Sequence, residues 1–231
     1  QDLGNGNDLL IADSGATVEA YLFDNDGGGA WVAPEGTENN GSATIHAVPG
    51  AGPSYIDLYN AAGTNGWTIM GDGGQDHLVG SSNNDTIYGG AGNDTIYGGP
   101  GADVLWGGKP DNPEAGNNVF VYTSSSDSPA NPAFDTIMDF VSGQDKLAFD
   151  GMLEEGKTFS FVGNFSFEQT ESFSPEGQNN PSAYLKQPEA DGPYYLYVDV
   201  TGNETADMTI LMDDVSALAG DDFHWTPPPV G

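Results

Sequence analysis

Four aspartates recur every nine residues in the middle of this 231-residue chain: Asp76, Asp85, Asp94 and Asp103. Each is the sixth residue of a nine-residue unit, and the units read GDGGQDHLV, GSSNNDTIY, GGAGNDTIY and GGPGADVLW. Carboxylates spaced in this way among glycine-rich turns offer a cation oxygen ligands, from side chains and from backbone carbonyls. Calcium accepts about six to eight oxygens in flexible geometry, whereas magnesium requires a tighter octahedron. The spacing therefore predicts several calcium sites, and the alternative is a flexible Gly/Asp-rich linker.

The rest of each unit predicts how the aspartates are positioned. The first six places hold mostly Gly, Asn, Ser and Asp, which form tight turns, and the last three favour a short strand. One coil of chain then takes eighteen residues, so that Asp76 stacks on Asp94 and Asp85 on Asp103. Because side chains alternate across a strand, the eighth residue of each unit points inward. These inward residues are Leu78, Ile87, Ile96 and Leu105.

The ninth places predict an outward row of aromatic residues. Tyr88 and Trp106 share one sheet, and Tyr97 lies beside Val79 on the other. Such a row packs under a neighbouring loop or domain, or binds sugar rings. Both interpretations stay open at this point.

Composition narrows the functional classes. The chain has 35 acidic residues and four basic ones, a formal net charge of −31. This balance excludes a nucleic-acid-binding protein that relies on phosphate contacts, because almost nothing could neutralise phosphates. Without counter-ions the chain should resist collapse, so we expect folding and calcium binding to be one event.

Several other classes lack their sequence signals. There is no cysteine for a disulfide or a thiolate metal site, and no apolar run long enough to span a membrane. The three histidines, His46, His77 and His224, are isolated, and no HExxH, G-x-S-x-G or Walker motif occurs. We therefore expect no catalysis in this segment, which leaves open a catalytic domain upstream. Because the chain opens at Gln1 without a methionine or an apolar leader, we expect a processed product or a fragment.

The N-terminal part carries weaker signals. Residues 3–11, LGNGNDLLI, fit one more unit, with Asp8 in the sixth place as a further candidate ligand and Leu10 in the eighth. Residues 12–62 lose the repeat and predict strands over 17–23, 42–48 and 55–59.

An EF-hand-like spacing overlaps this part of the chain. Asp24, Asp26, Gly29 and Glu35 fall at places one, three, six and twelve, but place five is Gly28 and neither flank is helical. The segment is either a calcium loop or a solvated acidic turn.

The units on either side of the four repeats depart from the pattern. Residues 62–70 keep the phase, with Ile69 in the eighth place, but Trp67 replaces the aspartate, which predicts a capping coil. After Gly107 the phase breaks at residues 109–113 and resumes with Asn118 where an aspartate is expected.

The C-terminal part is richer in Phe, Tyr and Leu and predicts a β domain. Its expected strands cover 119–122, 136–140, 146–149, 159–162, 194–200 and 208–211. Asp214 predicts the cap of one short helix over 215–219.

These motifs resemble known families. The nonapeptides resemble the calcium-binding repeats of RTX proteins. The run GGAGNDTIYGGPGADVLWGG, with the later NNVFVYTSSSDS and FDTIMDFVSGQDKLAFDG, resembles the C-terminal region of serralysin-type secreted metalloproteases. Similar modules occur in mannuronan epimerases, RTX lipases and surface adhesins. The resemblance covers about residues 71–225 and implies a calcium-binding roll, a cap domain that follows it and type I secretion.

Residue by residue, the resemblance implies a ligand set. It makes Asp76, Asp85, Asp94 and Asp103 the carboxylate ligands, with nearby carbonyls from Gly71, Gly73, Gly89, Gly90, Gly92, Gly98, Gly99 and Gly101. Asp135, Asp139 and Asp145 match acidic places where the family binds a further calcium or holds a turn. Asp199, Asn203 and Asp207 match a loop that is usually more acidic in the family. The final TPPPVG and residues 12–62 have no counterpart in the resemblance.

Together these observations predict an all-β protein. We expect an acidic N-terminal β segment (1–62), a parallel β-roll (63–118) and a β-sandwich-like C-terminal cap (119–231). The favoured function is an extracellular, calcium-binding structural and secretion module of a larger secreted or bacterial surface protein. The alternatives are a self-assembling or adhesive surface protein, which would contact itself or a cell-surface polysaccharide, and the non-catalytic tail of a secreted protease or polysaccharide-modifying enzyme.

Overall fold

A computed structural model describes residues 3, 8–22, 29–47, 52–111, 116–166, 173 and 180–226. Within these ranges the protein is built of β-strands, and its one helical element is a 3-10 turn at Gly220–Asp222. No helix in the described part of the chain is long and apolar enough to cross a membrane. The chain divides into two compact units, residues 1–119 and 120–231.

The first unit is a stack of parallel coils. Its described strands are β1 (Ile11–Ala12), β2 (Thr17–Tyr21), β3 (Ala30–Val32), β4 (Glu38–Asn39), β5 (Ser42–His46), β6 (Tyr55–Asp57), β7 (Ala62–Gly63), β8 (Trp67–Met70), β9 (His77–Val79), β10 (Thr86–Tyr88), β11 (Thr95–Tyr97) and β12 (Val104–Trp106). They form three sheets, with strand orders β12-β10-β8-β5-β2, β11-β9-β6-β3 and β1-β4-β7. Each strand pairs in parallel with the equivalent strand of the adjacent coil.

The repeat region forms the predicted roll. β8, β10 and β12 pair so that Ile69, Ile87 and Leu105 lie opposite one another, and Leu78 lies opposite Ile96 on the other sheet. The four aliphatic residues predicted to point inward are all buried, with exposed fractions of 0 or 1%. The thin aliphatic core predicted from the eighth places is therefore confirmed.

The N-terminal segment continues the same stack in longer coils. Its three predicted strands are present as β2, β5 and β6, but β2 pairs with β5 and β5 pairs with β8 of the roll. The offset between paired residues lies between 22 (Tyr55 with His77) and 27 (Ile11 with Glu38), against 18 in the repeats. The additional residues form the third sheet, β1-β4-β7. Absence of the nonapeptide therefore did not mean absence of the coil.

The prediction that residues 62–70 cap the roll was wrong. β8 pairs with β10 on one side and with β5 on the other, so its coil is internal. Trp67 takes the place of the aspartate and is buried like one, with 1% of its surface exposed. An indole fills this position, so there is no carboxylate here whose charge a cation would offset.

The outward row is longer than predicted. The register places Tyr21, His46, Met70, Tyr88 and Trp106 side by side across five coils. Tyr21 and His46 stack with ring centroids 4.6 Å apart and planes 9° apart. Tyr88 and Trp106 also stack, at 6.1 Å. The predicted pairing of Tyr97 with Val79 on the other sheet is confirmed.

The second unit is a mixed β domain. It contains β13 (Val119–Tyr122, which starts on the last residue of the first unit), β14 (Asp135–Ile137), β15 (Lys146–Phe149), β16 (Ser160–Phe165), β17 (Ser182–Lys186), β18 (Tyr194–Asp199), β19 (Met208–Met212) and β20 (Phe223–Trp225). β16 to β19 and β14 lie in the order β16-β17-β18-β19-β14, and β20, β15 and β13 lie side by side. The hairpin pairs β17–β18 and β18–β19 are antiparallel, whereas β14–β19 and β15–β20 are parallel.

Two features of this unit departed from expectation. The predicted helix over 215–219 is absent: these residues have no regular secondary structure, and Asp214 adopts a left-handed φ of 58° instead of the extended backbone typical of a helix cap. The chain turns instead at Gly220–Asp222, where the Asp222 carboxylate accepts the Ala219 amide. β17 and β20 were not predicted, although six of the eight strands were.

The aliphatic core of the roll provides a stability test. Replacing Ile96, which is fully buried, with alanine should lower the free energy of unfolding by about 2–5 kcal/mol, because the thin core leaves a cavity that few neighbours can fill. Urea unfolding in excess calcium, followed by tryptophan fluorescence, measures the change. The same substitution at Ile11, which is 48% exposed on β1, is the control and should cost no more than about 1 kcal/mol. Equal losses at the two positions would contradict an inward core.

Candidate metal centre

The aspartates of the repeats form two buried ladders, one on each edge of the roll. We call them the Asp76 edge (Asp76, Asp94 and Asn118) and the Asp85 edge (Asp85 and Asp103). All five side chains are buried, with exposed fractions of 1–2%. The predicted stacking is therefore present, and the aspartates point inward from the turns rather than into solvent.

One oxygen of each ladder side chain accepts a backbone amide of the preceding coil. The Asp76 amide donates to Asp94 Oδ1 at 2.9 Å, and the Asp85 amide donates to Asp103 Oδ1 at 2.7 Å. The ladders begin where Ser54 and Trp67 donate their amides to Asp76 and Asp85, both at 2.6 Å. These bonds align successive turns and partly replace the lost hydration of the carboxylates.

Asn118 shows which part of the ladder needs no charge. Its Oδ1 accepts the Asp94 amide at 3.0 Å, so an amide oxygen makes the same bond as a carboxylate oxygen. The prediction that residue 118 occupies an aspartate place is confirmed, despite the longer insertion before it. Negative charge at the other positions therefore needs a reason besides the ladder bond.

The second oxygens on the Asp76 edge have no such partner. Asp76 Oδ2 and Asp94 Oδ2 are buried and accept no hydrogen bond within the described part of the chain. Burying an unpaired anionic oxygen is costly, and such groups in native proteins usually have a cation or water beside them. These two atoms are the strongest local indication of a bound positive charge.

A glycine at the first place of each unit lets a carbonyl of the next coil approach these oxygens closely. A Cβ atom on Gly71 would collide with the Gly89 carbonyl oxygen and lie 2.8 Å from Asp76 Oδ2. A Cβ on Gly89 would similarly collide with the Gly107 carbonyl and lie 2.5 Å from Asp94 Oδ2. In each case a carbonyl oxygen and a carboxylate oxygen converge on the bare glycine, which is the donor set that calcium prefers.

The other predicted glycines shape the turns. Gly90, Gly92 and Gly99 adopt left-handed φ values of 101°, 138° and 92°, which side-chain-bearing residues rarely adopt. Gly73 bridges to Ala91 of the next coil. Gly98 and Gly101 lie against Asp103 of the Asp85 edge, where a Cβ on Gly101 would be 2.8 Å from Oδ1. The predicted glycines therefore lie along both ladders.

Burial raises the proton affinity of the ladder. It raises the pKa of Asp76 to about 7, opposed by the Ser54 amide bond and reinforced by the charge of Asp94. It raises the pKa of Asp85 and of Asp94 to about 6, again opposed by backbone amides. Without a bound cation these carboxylates are therefore poorly stabilised as anions.

A lysine forms an ion pair with one half-buried carboxylate next to the Asp76 edge. Lys109 Nζ forms an ion pair with Asp72 Oδ1, and His46 Nδ1 lies 3.9 Å from the other oxygen of Asp72. Asp72 holds a left-handed φ of 64° in the second place of its turn. The residue that breaks the repeat phase thus supplies a positive charge to the turns.

Side chains alone do not form a metal site in the described residues. No three side chains of His, Asp or Glu come together there in a way that could hold an ion. An ion on the Asp76 edge would therefore take most of its ligands from backbone carbonyls. That is consistent with the converging oxygens around Gly71 and Gly89.

The structure does not bring Asp8 into either ladder. Asp8 precedes β1 in the three-stranded sheet, and its carbonyl accepts the indole N–H of Trp31 at 3.1 Å. Leu10 is fully buried, as predicted from its eighth place in a nine-residue unit. Of the EF-hand-like spacing, Asp24, Asp26 and Gly28 lie outside the described residues.

In the second unit the predicted acidic residues are buried, and Asp145 holds a turn. Asp145 Oδ2 accepts the Val141 amide at 2.8 Å, and Asp145 donates its own amide to the Val141 carbonyl. Asp135 and Asp139 are buried, with exposed fractions of 0 and 9%. Of the two roles that the resemblance allowed, the Asp145 contacts match the turn.

The 199–207 loop is closed by its own carboxylates. Asp199 accepts the amides of Gly202, Asn203 and Glu204, and Asp207 accepts those of Val200 and Thr201. Asn203 orients the loop through its Oδ1, which accepts the Thr205 amide. These backbone donors satisfy both carboxylates within the loop itself.

Two residues with important contacts were missed by sequence reasoning. Ser81 donates both its amide and its hydroxyl to Asp85 Oδ2, at 2.5 and 3.0 Å. Asp222 is fully buried and accepts bonds from Ser142 and from the amides of Gly143 and Ala219. A serine at the second place of a repeat was a visible signal, whereas nothing near Asp222 marked its long-range contacts.

The raised pKa values predict how the ion-free protein responds to pH. Between about pH 4 and 7 the folded ladder binds protons that the unfolded chain has already lost. The free energy of unfolding of the ion-free protein therefore falls as the pH rises through this range. His77 has a pKa lowered by burial and acts in the opposite direction, but it is one group against three. Urea unfolding in excess chelator should therefore give a lower midpoint at pH 8 than at pH 5. A higher midpoint at pH 8 would contradict the burial of uncompensated carboxylates.

Comparison with known proteins supports the assignment of the whole stack. No curated protein matches the chain. Residues 3–221 match the family described as Peptidase M10 serralysin C terminal. This region includes the long N-terminal coils as well as the four repeats and most of the second unit. The chain therefore belongs to the serralysin C-terminal family, whose peptidase activity resides in a different, N-terminal domain.

Proposed function

We propose that this chain is a calcium-binding, non-catalytic module of a secreted protein, and that calcium completes its fold. The observation that carries the proposal is the pair of buried, unpartnered oxygens, Asp76 Oδ2 and Asp94 Oδ2. Each lies beside a glycine on which a carbonyl oxygen also converges. Membership of the serralysin C-terminal family supports the same ion and a location outside the cell.

The chain's own residues would hold the ion by simple electrostatics. Asp76 and Asp94 provide charge, and the carbonyls of Gly89 and Gly107 provide neutral oxygens on the same side. Calcium itself supplies two positive charges, which offset the burial cost of the carboxylates and part of the −31 net charge. The amide ladder keeps the carboxylates in register for the ion.

Location follows from the affinity expected of such a site. Extracellular calcium modules bind at about 10⁻⁴ to 10⁻³ M, well above calcium levels inside cells. A chain whose coils enclose so thin a core would be only partly folded at low calcium, which suits export through a type I secretion system. It would then complete its fold on reaching extracellular calcium, either free in the medium or at a bacterial surface.

A second candidate function is favoured by the family match. The matching family is the C-terminal part of a peptidase, so this chain could serve as the non-catalytic tail of a larger secreted enzyme. The adhesive alternative has less support. In the outward row Tyr21 and His46 stack on one another, so these two rings present edges, rather than open faces, to a sugar.

A calcium titration tests the proposal directly. Starting in chelator, added calcium should increase the strand signal in circular dichroism and shift the emission of Trp67 to shorter wavelength, because Trp67 is buried in the coil next to the ladder. At tenfold excess over the dissociation constant, each site should add about 1.4 kcal/mol to the free energy of unfolding. Magnesium at the same concentration is the control. Strand signal already complete in chelator would rule out calcium-coupled folding.

A charge-removing variant separates the ladder from the ion. Asp94→Asn should keep the bond from the Asp76 amide, as Asn118 does for Asp94, while removing a charged ligand. We expect its midpoint of urea unfolding in chelator to equal or exceed that of the wild type, and its stabilisation by calcium to be clearly smaller. Asp150→Asn, on an exposed turn of the second unit, is the matched control. Unchanged stabilisation by calcium in Asp94→Asn would show that the ion binds elsewhere.

A further inference from the structure

The buried aspartates of the repeat are not all satisfied in the same way. On the Asp76 edge, Asp94 accepts one hydrogen bond, from the Asp76 amide, and its Oδ2 has no partner in the described residues. On the Asp85 edge, Asp85 accepts the Trp67 amide on Oδ1 and both donors of Ser81 on Oδ2. Two equally buried carboxylates in equivalent places of the repeat are thus satisfied in different ways.

The difference originates in the second residue of each unit. Asp72, Gly90 and Gly99 occupy this place with left-handed φ values of 64°, 101° and 92°. Ser81, at the same place, does not adopt a positive φ. As a result the Gly90 amide points along the stack to the Gly107 carbonyl, whereas the Ser81 amide turns inward to Asp85.

The contacts of Ser81 compete with a cation for the same electrons. The Ser81 N–H and O–H both donate to Asp85 Oδ2. A carboxylate oxygen has two lone pairs, so two donors use its capacity to accept hydrogen bonds. The hydroxyl is also 3.2 Å from Oδ1, so it lies across the carboxylate. Hydrogen bonds to the charged form stabilise an anion, as a cation would, but without recruiting an ion from solution.

The glycine cradle is nevertheless present on this edge. A Cβ on Gly80 would collide with the Gly98 carbonyl and lie 2.7 Å from Asp85 Oδ2, much as Gly71 and Gly89 do on the other edge. The converging carbonyl and carboxylate oxygens are therefore in place, and the second-place residue is the difference between the two edges at this position.

We propose, on the basis of the calcium-binding function proposed above, that Ser81 takes the place of a calcium ion at Asp85, whereas Asp94 on the Asp76 edge recruits one. Ser81 is then the residue that decides whether the turn at residues 80–85 recruits calcium. This turn is held by the hydrogen bonds of Ser81 and forms at any calcium concentration that allows its neighbours to form. The roll thus contains one turn that does not depend directly on calcium.

Restoring glycine at the second place tests this assignment. Ser81→Gly in the full chain removes the hydroxyl and allows the left-handed φ of Gly90 and Gly99, so it should free Asp85 Oδ2 beside Gly80. Isothermal titration of the chelator-treated protein with calcium chloride should then give one more bound ion per chain than the wild type. The matched control is Ser82→Gly, at the exposed neighbouring position, which should leave the number of bound ions unchanged. An unchanged number in Ser81→Gly would overturn the proposal.

A second variant covers the case in which Ser81→Gly does not fold. Asp85→Asn should leave the number of ions bound by the chain unchanged, whereas Asp94→Asn should reduce it by at least one. Loss of an ion from Asp85→Asn equal to that from Asp94→Asn would also overturn the proposal. If the wild type itself binds no calcium, the proposed function fails and this inference fails with it. An ion bound at Asp85 as well as at Asp94 contradicts only the inference.

Discussion

The structure depends on keeping ionised carboxylates inside glycine-rich turns. Burial makes each aspartate of the repeat less favourable as an anion, as the raised pKa values of Asp76, Asp85 and Asp94 indicate. One oxygen of each is compensated by a backbone amide of the adjacent coil. The other oxygen is treated differently from turn to turn, with no hydrogen-bond partner at Asp94 and two donors from Ser81 at Asp85. The hydrophobic core of the repeats is thin, because each strand contributes only one buried aliphatic side chain to it.

Glycine is required at these turns for two separate reasons. At the first place of a unit the backbone of the next coil and the carboxylate approach so closely that no Cβ fits, as at Gly71 and Gly89. At Gly90 and Gly92 the backbone adopts positive φ values that other residues rarely tolerate. The close approach of oxygens and the path of the chain are therefore set by the same residue type. Ser81 shows that the repeat tolerates an exception when the side chain itself satisfies the carboxylate.

Sequence periodicity predicted the part of the fold in which each coil repeats the same chemistry. Aspartates and aliphatics nine residues apart were sufficient to predict the ladders, the core and the pairing of Tyr97 with Val79. The longer N-terminal coils were recognised as strands but not as coils, because their offsets vary from 22 to 27 residues and leave no fixed period. The serine at position 81 was visible as a departure from glycine, but its contact with Asp85 depends on a backbone rotation that the sequence does not specify. The contacts of Asp222 lie about 80 residues distant, so local sequence does not reveal them.

The parallel stacking of the first unit also determines how order can spread through it. Paired residues are separated by 18 to 27 positions, so each coil needs only the coil beside it as a template. In such quasi-one-dimensional assemblies, stability is approximately a sum over neighbouring layers, and growth can start at any layer that forms first. A chain that becomes available from either end could therefore fold one layer at a time. No strand of the first unit depends on a pairing partner far away in the sequence.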